Sequence, residues 1–477
     1  MSIKLLKQIS IVFIFLSLAV FLFTFRLGNE SIWNDEWLTL SDISCPDICA
    51  FFSFVKVNED TPPVYFLLLR WWSLNGRYLS IEHLRMFSVV WAIAGLAGVY
   101  LLAKSLNGKR TALISSILYM ASPYVVWYAQ EARNVMMEGA LSVIIMYFFN
   151  MFVQKGSKKY LFISCLLLIL GLYTHYFFLF LIPAQLIYIS IYRRDLFRIW
   201  LICAVVVMLA FFPWVPVVIS QLKIARISWL ECPTLYFPVN LFAAFSTGLF
   251  YKINSLWTIL SVGLYILFFI AGFLCMRIRD RELDLSLKFT ETTGFMIIFF
   301  FTPIILSYGV SFFKPILYDG KRYLMLILPL FFIITASGIN RVSRQRLIFF
   351  SVAILLCFNS YFLKDLYRNL QKRPWDKVAY IMRENSMPGD VLYSVDYSKG
   401  KILDYYGIGD IERVDVPDIK QVKKVFRGHN RAWFIADVDN SWQQKILDGL
   451  LPVIFSRMIT NSAGLQIRLT LYDTAGL

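Results

Sequence analysis

Hydrophobic and polar positions in this chain alternate on the scale of a bilayer. Apolar runs of about 17–25 residues recur, each long enough at 1.5 Å per residue to cross about 30 Å of hydrocarbon. They lie at roughly 8–26, 84–103, 111–128, 135–153, 160–173, 176–192, 198–219, 255–276, 291–312, 323–340 and 346–363. A shorter run, "PPVYFLLLRWWSLNG" at 62–76, is interrupted by Arg70 and carries Trp71 and Trp72, residues that favour the membrane interface.

Counting 62–76 as a span would reverse the side of everything after it, and the positive-inside rule arbitrates. With that segment lying along the surface, one side collects Lys4 and Lys7, "KSLNGKR" (104–110), "QKGSKK" (154–159), "YRRDLFR" (192–198), "RIRDRELDLSLK" (277–288) and "NRVSRQR" (340–346). That set is consistently cytoplasmic. The pattern therefore predicts an α-helical polytopic membrane protein of about eleven transmembrane helices, with the N-terminus in the cytoplasm and the C-terminus outside. Residues 1–363 form the membrane domain, 27–83 its first outer loop, and 62–76 an interfacial helix within that loop. The start of the chain has no small-residue cleavage site and reads as a retained helix.

From about 364 the pattern changes. "RPWDKVAYIMREN" reads as an amphipathic helix and "VLYSV" as a strand. Helix-like "SKGKILDYYG" and "IKQVKKVF" then alternate with strand-like "RAWFIADV", "LPVIFSRMI" and "LQIRLTLYD". This alternation predicts a small extracytoplasmic α/β domain over 364–477 with a partly parallel sheet. It has no glycine-rich phosphate loop and reads as an accessory domain.

Composition agrees. The chain has 477 residues, 58% of them hydrophobic, against roughly 45–50% in soluble proteins, and its mean hydropathy is +0.62. The net charge of +16 sits in short clusters between apolar runs, which is a topology signal and excludes a nucleic-acid face. Most of the seven cysteines fall in apolar runs. Cys45 and Cys49 share the first loop, where a disulfide and two free thiols are both open. With three histidines and no Cys/His spacing of the right kind, no structural zinc site is predicted.

With this topology the unusual polar residues gather on the outer side. They are Asp35 and Glu36 in "SIWNDEWLTL", Gln130, Glu131 and Arg133 at the end of the third span, His175 between the fifth and sixth, and Lys321 with Arg322 entering the tenth. Ionisable groups at membrane depth cost about 2.5–3.5 kcal/mol each on insertion scales, so they mark function by default. Taken singly, each has an ordinary reading: a solvated acidic pair, an interfacial Glu–Arg pair, snorkelling cations and a packing histidine. Tyr65 and the two tryptophans read as an aromatic belt.

Their order along the chain resembles the GT-C superfamily of membrane glycosyltransferases, in particular the group of protein O-mannosyltransferases and lipid A aminoarabinose transferases. In that group an acidic pair follows the first span, as "NDEW" does here. A "HPPLYYLLL"-type interfacial helix is matched by "TPPVYFLLLRWW" at 61–72, and a "SPFxxYYAQEARxY"-like segment by "SPYVVWYAQEARNV" at 122–135. "LYTHYF" at 172–177 and "RYL" at 322–324 complete the series. The resemblance implies Asp35 as catalytic base with Glu36 beside it, and Arg133, Lys321 and Arg322 around the donor phosphate. Glu131, Gln130, His175 and Tyr65 are implied as supporting residues. The family's usual histidine before the two prolines is Thr61 here, which points to a different substrate branch.

The reaction so implied moves a sugar from a polyprenyl-phosphate-linked donor to a lipid, glycan or protein acceptor outside the cytoplasm, at a plasma (inner) membrane. A hydroxyl acceptor needs a positioned base, typically worth about 10²–10⁴-fold, and the departing phosphate needs fixed cations. No cofactor is required; a divalent cation is an option if Asp35 and Glu131 share one. The alternative is a transporter or flippase of a lipid-linked sugar, which would call for midplane charges and repeated halves, and neither is visible. A noncatalytic scaffold for the C-terminal domain is the third reading.

Overall fold

The structure, a computed structural model, describes residues 3–223, 232–249, 255–279, 282–287, 290–317, 322–342, 344–393, 402–414, 428–436 and 441–475. It divides into two compact units, one of Met1–Phe25 and Asp42–Lys364, the other of Arg26–Ser41 and Asp365–Leu477.

The first unit is helical. Among the described residues five helices are long and apolar enough to cross a membrane: Ile81–Met120, Val135–Lys155, Arg194–Lys223, Glu291–Ser311 and Gln345–Arg368. Six shorter apolar helices accompany them, among them Val12–Thr24, Leu256–Ala271 and Leu324–Asn340. This is a multi-pass membrane protein. We number the elements used below α1 (Ile3–Thr24), α2 (Asn34–Ile43), α3 (Ile48–Asn58), α4 (Val64–Trp72), α5 (Ile81–Met120), α6 (Pro123–Ala129), α7 (Val135–Lys155) and α8 (Lys158–Leu172).

Several boundaries differ from the sequence expectation. The expected break between spans 84–103 and 111–128 is present within Ile81–Met120: Gly108 has non-helical backbone (φ 84°), a positive-φ conformation that glycine adopts without a Cβ penalty, and it divides two helical runs. The second run, however, stops at Met120, short of the expected 128. Ser122 then caps α6 through Val125 N–H, with Pro123 in its first turn, where proline lacks only an N–H that would be orphaned anyway. The segment between the first two expected spans holds α2 and α3 as well as α4. With only 9 residues, α4 reaches about 13–14 Å at 1.5 Å per residue and cannot cross the bilayer. An antiparallel strand pair, β1 (Leu274–Arg279) with β2 (Glu282–Leu287), begins at the end of the expected span 255–276 and continues into the expected 277–288 loop.

Small residues set the closest helix approaches, as expected where lipid offers no hydrophobic drive between helices. A Cβ on Gly98 would overlap Val143 of α7. One on Gly338 would overlap the carbonyl of Phe268, which packs helix Leu328–Asn340 against Leu256–Ala271.

The second unit is built on a mixed sheet of β3 (Val391–Tyr393), β4 (Glu412–Val414), β5 (Arg431–Ala436), β6 (Val453–Thr460) and β7 (Gln466–Asp473), in the order β4-β3-β5-β7-β6. β3 is parallel to β4 and β5, while β7 is antiparallel to β5 and β6. Alternate residues Val391, Tyr393, Ala432, Phe434 and Ala436 form one face of the core with Leu447 and Leu451, as the two-residue period of a strand requires. The helices include α9 (Trp375–Asn385) and α10 (Ser441–Leu450), and the expected helix "SKGKILDYYG" is a single helical turn over 402–405 among its described residues. The sequence reading had no helix at α10 and no strand at β4. The expected helix "IKQVKKVF" lies outside the described residues.

The segment Arg26–Ser41 is held in this unit by polar contacts at the entrance to α9. Glu30 accepts from the backbone N–H of Gln371 (2.7 Å) and Lys372 (3.0 Å), and Ile32 N–H donates to the Tyr406 hydroxyl (2.9 Å). Ser31 Oγ donates to Asp376.

Candidate functional site

In the first unit the site residues converge on the turn between α6 and α7. Gln130 closes α6 and sends its side-chain amide to the carbonyls of Phe23 (3.1 Å) and Phe25 (2.9 Å). Those carbonyls end α1 and need donors from outside the helix, so Gln130 acts as a C-terminal cap. The Glu131 carbonyl accepts from Ser88 Oγ of α5 (2.6 Å), and its buried carboxylate lies 4.0 Å from the half-buried Arg322 guanidinium. Asn134 Nδ2 donates to the Thr174 carbonyl (3.2 Å), joining this turn to the one after α8.

Arg133 is already engaged. Its two terminal nitrogens donate to the two carboxylate oxygens of Glu59 at 2.8 and 3.0 Å, and its guanidinium lies 5.5 Å from the centre of the Phe66 ring. Both partners are buried. This bidentate geometry is the strongest form of the Arg–carboxylate contact, and it leaves Arg322 as the cation with the more exposed head group. Lys321 lies outside the described residues.

His175 caps the turn before η-helix Tyr176–Phe180: its Nδ1 accepts from Phe177 N–H (3.2 Å). A nitrogen that accepts carries no hydrogen, so Nε2 holds the ring's proton. Burial, reinforced by the charges of Arg322 and Arg133, pushes its pKa down to about 3. The 3.9 Å approach of Nδ1 to Glu138 is therefore not an ion pair at neutral pH.

The sequence reading missed Asp42 and Glu59. Asp42, in the last turn of α2, is fully buried, and neither of its oxygens receives an N–H or O–H donor among the described residues. The carboxyl it faces is that of Glu59, the C-cap residue of α3. Glu59 stands two residues before the "TPP" motif, and a charged side chain at a helix end reads as solvated in sequence. The available signal was Arg133, a buried-span cation that sequence reading satisfied with its neighbour Glu131 and the fold pairs with Glu59 instead.

In the second unit, Asp35 is half-buried in the first turn of α2, where the helix dipole favours a carboxylate. Its neighbour has another task. Glu36 is fully buried and takes a 2.8 Å ion pair from Lys372, itself buried and 5.7 Å from the Trp33 ring centre. Tyr65, expected in an interfacial belt, is instead fully buried on α4 with its ring against Phe66 and Phe87 (5.4 and 5.7 Å). Trp71 on the same helix is 72% exposed and does face outward. Cys45 and Cys49 form no disulfide with each other. Among the described residues no three His, Cys, Asp or Glu side chains form a group able to hold a metal ion.

Residues 60–219 match the dolichyl-phosphate-mannose-protein mannosyltransferase family. Among solved structures, ArnT from Cupriavidus metallidurans in the apo state aligns with a TM-score of 0.64 at 12% identity, over 98% of this chain and 99% of that one. The same protein bound to undecaprenyl phosphate gives 0.65 at 13% identity, over 97% and 98%. The Archaeoglobus fulgidus oligosaccharyltransferase in its apo form gives 0.56 at 12% identity, over 96% and 74%. No curated protein matches the chain in sequence.

Proposed function

We propose that this chain, which has the GT-C glycosyltransferase fold and a mannosyltransferase-family segment at 60–219, transfers a sugar from a polyprenyl-phosphate carrier to an acceptor on the extracytoplasmic face of the membrane. The observation that carries the reading is the buried ionic turn between α6 and α7, where Glu131 faces Arg322 and Arg133 is anchored by Glu59. Ordered charge of this kind in an apolar bundle is costly, and a charged ligand explains it. The ArnT structure with bound undecaprenyl phosphate supports a lipid-phosphate ligand of the same class.

In the reaction, Asp35 accepts the acceptor's hydroxyl proton as the oxygen attacks the anomeric carbon. The bond from that carbon to the phosphate oxygen breaks, and its electron pair stays on the phosphate. Arg322, with Lys321 beside it in sequence, stabilises the added negative charge. Arg133 is a positioning group, since Glu59 occupies its fork. In this reading Glu36 is a structural group, its carboxylate paired with Lys372 at 2.8 Å. Neutral His175 supplies an N–H donor through Nε2. The base and the leaving-group cations act in one step without a covalent enzyme intermediate, so the anomeric configuration inverts.

The test is a panel of polyprenyl-phosphate sugars, hexosyl and pentosyl, incubated with purified protein and followed by release of free carrier phosphate. Release that depends on added acceptor is expected with at least one donor. Release with none, from folded protein, refutes the assignment.

A further inference from the structure

The transfer chemistry makes no use of Asp42, yet this side chain is fully buried beside a second carboxyl. It sits in the last turn of α2, Glu59 ends α3, and Arg133 precedes α7, with exposures of 0, 1 and 7% for Asp42, Glu59 and Arg133. The Arg133 fork is taken by Glu59. Of the other charged groups nearby, Arg70 of α4 donates to the carbonyls of Ile43 (2.9 Å) and Cys45 (2.6 Å). Asp47 accepts from Ala50 N–H as the N-cap of α3. The Cys45 thiol is held neutral, its pKa raised first by burial. None of them donates to Asp42, and a second uncompensated carboxylate in this surrounding is expensive. Two carboxyl groups facing one another can share a hydrogen bond only if one of them keeps its proton.

We propose that Asp42 is a positioning residue: its carboxylic acid donates the one shared proton to Glu59, tying the last turn of α2 to the Glu59–Arg133 pair and so orienting the helix that carries Asp35. Asp35 precedes Asp42 by seven residues, about two turns at 3.6 residues per turn, which places both on one face of α2. This rests on the assignment of Asp35 as base. Burial, then the charge and hydrogen bond of Glu59, raise the Asp42 pKa well above the usual carboxylate range, while Arg133 works the other way. The sign follows: a carboxyl with a raised folded pKa contributes stability that is fully present below the unfolded value and is lost as pH climbs through the folded one.

The experiment uses the full chain in detergent, as wild type, Asp42→Asn and Asp42→Ala. Three readouts are taken: the infrared carbonyl band of a protonated carboxylic acid, the apparent unfolding temperature at pH 6 and pH 9, and transfer from polyprenyl-phosphate sugars. The wild type is expected to unfold at a lower temperature at pH 9 than at pH 6. Asp42→Asn, which donates an N–H in place of the O–H, should lose one band component and show the same midpoint at both pH values. It should keep transfer within about threefold, whereas Asp42→Ala should lose roughly ten- to a hundredfold in kcat at little-changed KM. A band unaltered in Asp42→Asn, or a midpoint in that variant that still falls with pH, overturns the proposal. Absence of transfer by the wild type with every donor would instead refute the glycosyltransferase assignment, and the band and pH readouts would still decide the shared proton.

Discussion

Replacing Glu59 by Gln removes the carboxylate that neutralises buried Arg133. Breaking a buried ion pair by deleting one partner costs about 3–5 kcal/mol, because the surviving charge is stranded. Here a replacement stands by. Once Glu59 is neutral, Asp42 can release its proton and face Arg133 as a carboxylate, so Glu59→Gln alone should cost only about 1–2 kcal/mol. Asp42→Asn alone keeps a donor toward Glu59 and should cost at most about 1 kcal/mol. The double variant leaves Arg133 with neither acid and should reach the full loss of about 3–5 kcal/mol. The two substitutions are thus expected to be coupled by roughly 2 kcal/mol, beyond the few tenths seen for independent sites. Unfolding midpoints of the four proteins at pH 7 give the answer, since 1 kcal/mol moves the midpoint of a 150–250-residue domain by about 2–4 °C and that of a larger unit by less. If the double variant loses only the sum of the two single losses, Asp42 does not take over Arg133, and the shared-proton geometry is wrong.

Other outcomes follow from the same geometry. Asp35→Asn should fold, insert and unfold like the wild type yet lose at least about 10²-fold in transfer; retained activity would move the base elsewhere. Glu36→Gln strands buried Lys372 and should destabilise by about 3–5 kcal/mol, while the pair Glu36→Gln with Lys372→Met should recover most of that loss in a thermal scan. Because the His175 pKa is pushed down to about 3, a rate profile from pH 5 to 8 should show no inflection removed by His175→Gln. An inflection that disappears in that variant would mean the ring titrates in that range. Gly338→Ala drives a methyl into the Phe268 carbonyl and should cost at least about 1–3 kcal/mol by overpacking, measured as lost thermal stability in detergent.

Bilayer-length periodicity made the helical membrane architecture legible, because a run of apolar residues has few other uses. The short helix at 64–72 was legible for a related reason: Arg70 and the paired tryptophans limit its apolar length, and the structure gives it 9 residues. Helix ends inside long apolar stretches were not. Nothing in hydropathy separates Met120 from Pro123, and the break there depends on the Ser122 cap and the proline that follows. The strands β3, β5, β6 and β7 were visible as β-branched and aromatic runs, whereas β4 has three residues, too few to carry a period.

The site shows the same limit in a sharper form. Sequence order could mark Asp35, Glu131, Arg133 and Arg322 as unusual charges in an apolar chain, but it could not pair them. Pairing is a tertiary property, and it changes roles. Arg133 and Arg322 look equivalent in sequence; in the fold one is held by two hydrogen bonds to Glu59 and the other stands 4.0 Å from Glu131 with its head group partly open. Asp35 and Glu36 are neighbours in sequence, yet a helix turns each residue by about 100°, so adjacent side chains face different surroundings. Glu36 meets Lys372, more than three hundred residues away, and is neutralised. Asp35 shares its face with Asp42, so the acid that the sequence singled out and the acid that it overlooked belong to one side of one helix. A substitution that rotates or frays α2 should therefore disturb Asp35 and Asp42 together, whereas one that only removes the Asp35 carboxylate should leave Asp42 in place.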